Sequence, residues 1–228
     1  MELVSRLEYD FSNIKRREDE QVSFLLRMRA FDRLARAFLA KHAEGVIVDL
    51  GCGLDTRFER IDNGSGEWVG VDLPEVIALR KELLEETPRS HFIGCSVLDF
   101  AWMEALGKPA GRPMLFLAEA MLVYLEEAEV KRLVQALAER FPGAELACEV
   151  YAPVLVRYHP VPLDMPRPRW GLKNDRDVEG WALGIRLLSQ WNMFEEPEPR
   201  LGALRWMRHL PCLARVVRVV HYRLGEGE

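Results

Sequence analysis

The residues best placed to do chemistry lie in Val48-Asp49-Leu50-Gly51-Cys52-Gly53-Leu54-Asp55, where an apolar run ends in a carboxylate and a Gly-x-Gly turn. Glycines at such a turn let a ligand approach the backbone closely. Asp72 follows Gly51 by 21 residues, the offset at which nucleotide-binding α/β folds place a carboxylate on ribose hydroxyls, here with Leu73 beside it. Taken alone, Gly-x-Gly is equally a tight strand-to-helix connection. Paired with Asp72 at the end of the next strand, it points to a bound nucleoside.

What the turn lacks selects the nucleoside. The third glycine of a dinucleotide turn would fall at Thr56, and Asp55 stands just before it. A diphosphate needs the positive helix N-terminus, and a carboxylate there repels it. NAD and FAD are therefore disfavoured, whereas S-adenosyl-L-methionine, a phosphate-free sulfonium cation, suits an acidic loop. Arg27 falls on the apolar stripe of its helix with Phe31, Leu34 and Phe38, while Arg29, Arg33 and Arg36 fall opposite. A guanidinium on the buried face requires an anion: either a core carboxylate or the carboxylate of the cofactor's methionine end. Glu119 interrupts the apolar run 115–122 and is expected at a strand end facing the ligand crevice, as a partner for an arginine or for the cofactor's amino group. Ser96 and Asp99 follow the third strand and are placed to meet the adenine edge; Asp99 is also a plausible helix cap.

These groups must be positioned by an alternation of strands and helices. A helix is predicted over residues 18–42, with Phe24, Phe31, Leu34, Ala35 and Phe38 on one face. Strands are predicted over 45–50, 68–72, 91–96, 114–119 and 145–151, and helices over 74–86 and 127–141, the former with Pro74 in its first turn. Residues 152–177 carry five prolines between Pro153 and Pro168 and read as a structured insertion or lid. A helix over 178–188 and a closing strand over 215–224 complete the pattern. The expectation is a Rossmann-like α/β fold, a mostly parallel seven-stranded sheet with helices on both faces, in a single domain spanning 1–228 with a helical cap over 1–43.

The 228 residues and 49% hydrophobic content suffice for one full core. A net charge of −5 lacks the basic excess of a nucleic-acid footprint, and Lys15-Arg16-Arg17 runs directly into Glu18-Asp19-Glu20 as a mixed-charge helix end. No run is long enough for a membrane span, and the start lacks the pattern of a signal peptide. The four cysteines, Cys52, Cys95, Cys148 and Cys212, show no metal spacing and are expected to be reduced thiols of a cytoplasmic protein. No metal site is expected, and the partner is a small-molecule acceptor met by a monomer or homodimer.

In order along the chain, VIVDLGCGLDTRFERIDNG, WVGVDLPEVIALRKELL, SVLDF and AEAMLVYL resemble the leucine carboxyl methyltransferase superfamily, in particular its bacterial branch of polyketide O-methyltransferases of the tetracenomycin type. The resemblance implies a class I methyltransferase fold using S-adenosyl-L-methionine. By position, it implies that Arg27 holds the methionine carboxylate, Gly51 contacts the methionine portion, Asp72 takes the ribose, Ser96 and Val97 meet adenine, and Glu119 lies at the amino-acid end; the glycine turn and strand ends add Asp49, Gly53, Leu73 and Asp99 to the expected cofactor contacts. Ala120 departs from the glycine often found after that glutamate.

Methyl transfer from a sulfonium to oxygen is an in-line displacement, so alignment and exclusion of water do most of the work. A carboxylate acceptor needs only an anchor; a phenol must also lose a proton. Candidate anchors or bases are Glu119, Tyr124, Tyr151, Arg157, Tyr158 and His159, each with an ordinary packing or solvated alternative, and His221 reads as structural. The function expected is O-methylation of a carboxylate or phenolic oxygen on a polyketide-like small molecule. The alternatives are a non-catalytic S-adenosyl-L-methionine-binding module, a protein C-terminal carboxyl methyltransferase and, last, an NAD-dependent oxidoreductase.

Overall fold

The computed structural model describes Arg6 and residues 18–107, 111–158 and 166–226. Its sheet has seven strands, β1 (Val46–Leu50), β2 (Glu67–Asp72), β3 (Ser90–Gly94), β4 (Met114–Ala118), β5 (Glu145–Tyr151), β6 (Arg186–Asn192) and β7 (Val217–Arg223), in the order β3-β2-β1-β4-β5-β7-β6. The first five pair in parallel, and β7 joins β5 and β6 antiparallel. The chain winds outward from β1 to β3 and returns to place β4 on the other side of β1. That reversal opens a crevice at the C-terminal ends of β1 and β4, where ligands bind in open α/β sheets.

Seven helices accompany these strands among the described residues: α1 (Glu18–Lys41), α2 (Arg57–Ile61), α3 (Pro74–Leu83), α4 (Ala101–Leu106), α5 (Glu127–Arg140), α6 (Pro153–Tyr158) and α7 (Pro211–Ala214). Acidic residues in the first turn of α1 and Lys41 in its last match the helix dipole. Because strand side chains alternate in direction, Val46, Val48 and Leu50 pack with Val130, Leu133, Val134 and Leu137 of α5, while Ile47 packs on the other face with Phe31, Ala35 and Phe38 of α1. The side chain of Phe31 is fully buried, and burial of this kind contributes about 1.5–3 kcal/mol. Helices thus cover both faces, as expected.

The helix expected over 178–188 does not form. A 3₁₀ turn over Asp175–Gly180 precedes a left-handed Gly184 (φ 79°), and β6 begins at Arg186. Val178 and Ile185 are buried at helix-like spacing, but pairing of 186–192 with β7 overrides the local pattern. The proline-rich stretch contains α6, and beyond it Trp170 and Leu172 enter the main core. Between β6 and β7, 3₁₀ turns over Met193–Glu195 and Pro199–His209 pack against α1, with Met193, Phe194 and Leu201 buried beside Val22 and Leu26, and helix α7 packs on those turns. No helix among the described residues is long and apolar enough to cross a membrane.

Candidate functional site

In β1, β4 and β5, Asp49 sits opposite Leu117, and Leu117 opposite Ala147. Ile47, Leu115, Leu117 and Ala147 all lie in the core beneath α1. Two residues further along these three strands come Asp49, Glu119 and Glu149, which the alternation of side chains turns to the same face. Three carboxylates therefore meet at adjacent strand ends under one helix.

Arginines from the flanking helices hold them. Arg27 of α1 donates from Nε to Glu119 Oε1 at 2.9 Å and from Nη1 to Glu149 Oε1 at 3.1 Å. Arg57 of α2, only 1% exposed, donates from Nε to Asp32 Oδ1 at 2.8 Å and from Nη2 to Glu119 Oε2 at 2.5 Å. Its Nη1 lies 2.8 Å from Asp55 Oδ2 and 3.7 Å from Asp49 Oδ2. Arg60 joins Asp32 and Asp55, each at 3.1 Å. Five carboxylates thus surround three guanidiniums, a local excess of negative charge.

This imbalance perturbs the site's titrations. Burial pushes the Asp49 carboxyl up to about 7, against the opposing pull of Arg57. Burial likewise raises Glu149, with Arg27 opposing. Asp32 also feels burial, but its hydrogen bonds to Arg60 and Arg57 outweigh it and hold the group below the usual carboxylate range. Asp55, read from the sequence as a bare charge that repels phosphate, is instead paired with Arg57 and Arg60. The acidity belongs to the whole cluster.

The glycine turn lies alongside. The N–H groups of Gly51 and Cys52 donate to the carbonyl of Val71 at 2.8 and 3.3 Å. Gly51 and Gly53 have φ of 74° and 48°. A Cβ on Gly51 would come within 2.8 Å of Met121, whereas one on Gly53 would meet nothing within 4 Å. Asp72 accepts from Gly53 N at 2.7 Å and from Leu73 N at 2.8 Å, which ties the turn to the end of β2. Cys95 N donates to the carbonyl of Asp72 at 2.8 Å, bringing the loop of Ser96, Val97 and Asp99 to the same edge. Ser96 Oγ accepts from Leu98 N and Asp99 Oδ1 from Ala101 N, both at 3.3 Å; the N-cap of α4 is Phe100, one residue later than the cap expected at Asp99.

A cleft of about 270 Å³ opens between α1 and the glycine turn. Arg27, Asp49, Gly51 and Glu119 line it, together with Asp55 and Arg57. Phe24, Leu25 and Met28 form its apolar wall on α1. Phe24, expected on the buried stripe, is 37% exposed there. Gly53, Asp72, Leu73, Ser96, Val97 and Asp99 are not part of that lining; they lie in the glycine turn and at the ends of β2 and β3.

The leucine carboxyl methyltransferase family model matches residues 4–138. The chain is 32% identical, over 97% of its length and 85% of the relative's, to the tetracenomycin polyketide synthesis O-methyltransferase of Streptomyces glaucescens. The chain belongs to the leucine carboxyl methyltransferase family. It is also 25% identical to the S-adenosyl-L-methionine-dependent methyltransferase dpfgK of Gibberella zeae, over 79% of this chain and 66% of that one. Its fold matches the N-methyltransferase NodS of Bradyrhizobium japonicum WM9, solved in complex with S-adenosyl-L-homocysteine, with a TM-score of 0.57 at 12% identity, covering 99% of this chain and 97% of that one.

In this member of the family, the residues expected as acceptor anchors scatter. Tyr124 and Tyr151 belong to the apolar cluster beneath α1, and burial together with the neighbouring Glu149 raises the Tyr151 phenol, keeping it protonated. Tyr158 is 67% exposed, with the Arg157 guanidinium 5.3 Å from its ring centre. His221 pairs with Glu145 at 2.8 Å, far along the strands from the crevice. His159 lies outside the described residues. The residues missed from the sequence are Asp32, Arg57 and Glu149. Glu149 carried a usable signal, since it interrupts the apolar strand Leu146-Ala147-Cys148-Glu149-Val150 just as Glu119 interrupts its own.

Proposed function

We propose that this chain is an S-adenosyl-L-methionine-dependent O-methyltransferase acting on a carboxylate or phenolic oxygen of a polyketide-like small molecule. The observation that carries the reading is the meeting of Asp49, Glu119 and Glu149 at three adjacent strand ends, beside a glycine turn and under Arg27. S-adenosyl-L-methionine brings a sulfonium, an ammonium and one carboxylate, a net positive charge. A cluster with more carboxylates than guanidiniums favours that charge, and disfavours a diphosphate.

The donor set fits the group. A guanidinium has five N–H donors, and Arg27 uses two of them on Glu119 and Glu149, which leaves others for the methionine carboxylate. Glu119 would meet the ammonium, and Asp49 the positive end of the cofactor. The open space beside Gly53 leaves the backbone free to face the nucleoside, with Asp72 and Leu73 at the ribose and Ser96, Val97 and Asp99 at adenine. When bound, the cofactor supplies an electrophilic methyl group.

The protein's own residues orient and shield. The apolar wall of Phe24, Leu25 and Met28 excludes water from the side of the cleft nearest Arg27 and offers a surface to a flat acceptor. Tyr151, buried outside the cleft lining and held protonated, is not a base for the acceptor. An acceptor that arrives as an anion therefore suits this site best. The test is release of S-adenosyl-L-homocysteine with a panel of aromatic acids and phenols. Turnover with at least one supports the reading. Cofactor binding with no turnover across the panel favours a binding module instead.

A further inference from the structure

Glu149 is 1% exposed, bonded to Arg27, and not among the residues that line the cleft. Its two carboxylate oxygens do different work. Oε1 accepts from Arg27 Nη1 at 3.1 Å, and Oε2 accepts from the backbone N–H of Ala120 at 3.0 Å. Ala120 has a φ of 52°, the one non-glycine left-handed residue among those described, and it directly follows Glu119. A side-chain-bearing residue avoids this conformation unless its surroundings impose it. The Tyr151 phenol lies beside the same carboxylate.

One buried carboxylate thus braces both halves of the cleft's charged pair. It steadies the guanidinium of Arg27, and it holds the turn from which Glu119 projects. The Arg27–Glu119 bond at 2.9 Å closes the triangle. We propose that Glu149 is a positioning residue that sets the orientation of the Arg27–Glu119 pair for the amino-acid end of the cofactor, without touching the cofactor itself. This rests on the cofactor reading given above.

Glutamine at this position keeps the shape but offers one oxygen and one amide N–H₂, so it can satisfy Arg27 or Ala120, not both. Hydrogen bonds to a charged group are strong enough that a loss of about ten- to a hundredfold in affinity is expected. Calorimetric titration of S-adenosyl-L-homocysteine into the wild type and Glu149→Gln reads it directly, alongside melting temperature and steady-state kinetics. The proposal predicts a KM for S-adenosyl-L-methionine raised at least about tenfold with little change in kcat, because the interaction concerns binding of the ground state and transition state alike. Glu149→Asp, which keeps the charge but retracts it, should recover part of the affinity.

Glu149→Gln combined with Ala120→Gly gives a second arm should Glu149→Gln alone fail to fold. Ala120 lines the cleft, so glycine adds no bulk there, and it enters the left-handed turn without a Cβ penalty; the double variant still deprives Arg27 of its carboxylate and should bind the cofactor more weakly than Ala120→Gly alone. Wild-type binding accompanied by unchanged affinity and KM in Glu149→Gln, or in the double variant relative to Ala120→Gly if only that one folds, overturns the positioning role. A lowered melting temperature with unchanged affinity does the same, since it marks a purely structural residue. Absence of binding by the wild type would instead overturn the cofactor reading, and this proposal with it.

Discussion

Replacing Arg57 with methionine removes the cation at the centre of the buried cluster while keeping a side chain of comparable length. Asp32, Asp49, Asp55 and Glu119 all lose a partner. Asp32 and Asp49 are 8% and 4% exposed as side chains and are the most costly to leave uncompensated, whereas Asp55 and Glu119, at 24% and 16%, retain some contact with water. Breaking a buried ion pair from one side typically costs about 3–5 kcal/mol. Because Arg60 still serves Asp32 and Arg27 still serves Glu119, about 3 kcal/mol is expected at pH 8. The deficit must also depend on pH, and the two buried aspartates agree on the direction. Burial raises Asp49 to about 7 in the folded state despite Arg57, so the folded chain binds this proton more tightly than the unfolded one, and ionising it opposes folding as pH rises. Without Arg57 the opposition grows and extends to higher pH. Asp32 is shifted down, so it stabilises the fold above its unfolded pKa, an effect lost as pH falls through the folded value; the variant has less of it to lose. Urea unfolding of both proteins at pH 5 and pH 8, followed by circular dichroism, should show the larger deficit at pH 8. A deficit under about 1 kcal/mol at pH 8, the size of an ordinary surface change, or a larger deficit at pH 5, would refute the reasoning.

The same aspartate ties cofactor affinity to pH. A bound cation favours the ionised form of Asp49, so binding releases its proton, and affinity for S-adenosyl-L-methionine should rise between pH 6 and pH 8 by up to about tenfold per unit; S-adenosyl-L-homocysteine, lacking the sulfonium, should rise less, and calorimetry showing flat affinity for both contradicts it. Gly51→Ala and Gly53→Ala separate strain from ligand clearance. Each places a side chain at positive φ for about 1–2 kcal/mol, but Gly51→Ala also meets Met121 and should melt lower, whereas Gly53→Ala, with open space around it, should lose cofactor affinity more than stability. Arg27→Ala and Asp72→Ala should each weaken cofactor binding by about tenfold or more while remaining folded by circular dichroism; unchanged affinity in both would displace the site.

The parallel core was legible because its strands are short β-branched or apolar runs ending in glycine or a carboxylate, and β5 falls on the boundaries expected from its sequence, Glu145–Tyr151. The region after β5 was not. Val178 and Ile185 share helical spacing, yet β6 is decided by hydrogen bonds to β7, some thirty residues further on, which no local pattern reveals. The cap over α1 escaped for a similar reason: residues 193–214 form short 3₁₀ turns with a break at Gly202, and their apolar residues follow no sustained period. In the site, Arg27 and Glu119 were visible as charges on apolar faces. Arg27 meets two carboxylates of the protein and lines the cleft as well, so the two roles weighed for it are compatible in space. Arg57 was invisible because its helix spans only five residues, Arg57–Ile61, too short to define a buried face. Its role emerges only when β1, β4 and α1 are brought together.

Calorimetric titration at pH 8 of the wild-type protein with S-adenosyl-L-methionine, and separately with NAD, addresses the charge logic of the cleft most directly. Saturable binding of S-adenosyl-L-methionine at one site per chain, undisturbed by excess NAD, is the predicted result. Binding of NAD that displaces S-adenosyl-L-methionine, or no heat from S-adenosyl-L-methionine at all, would contradict it.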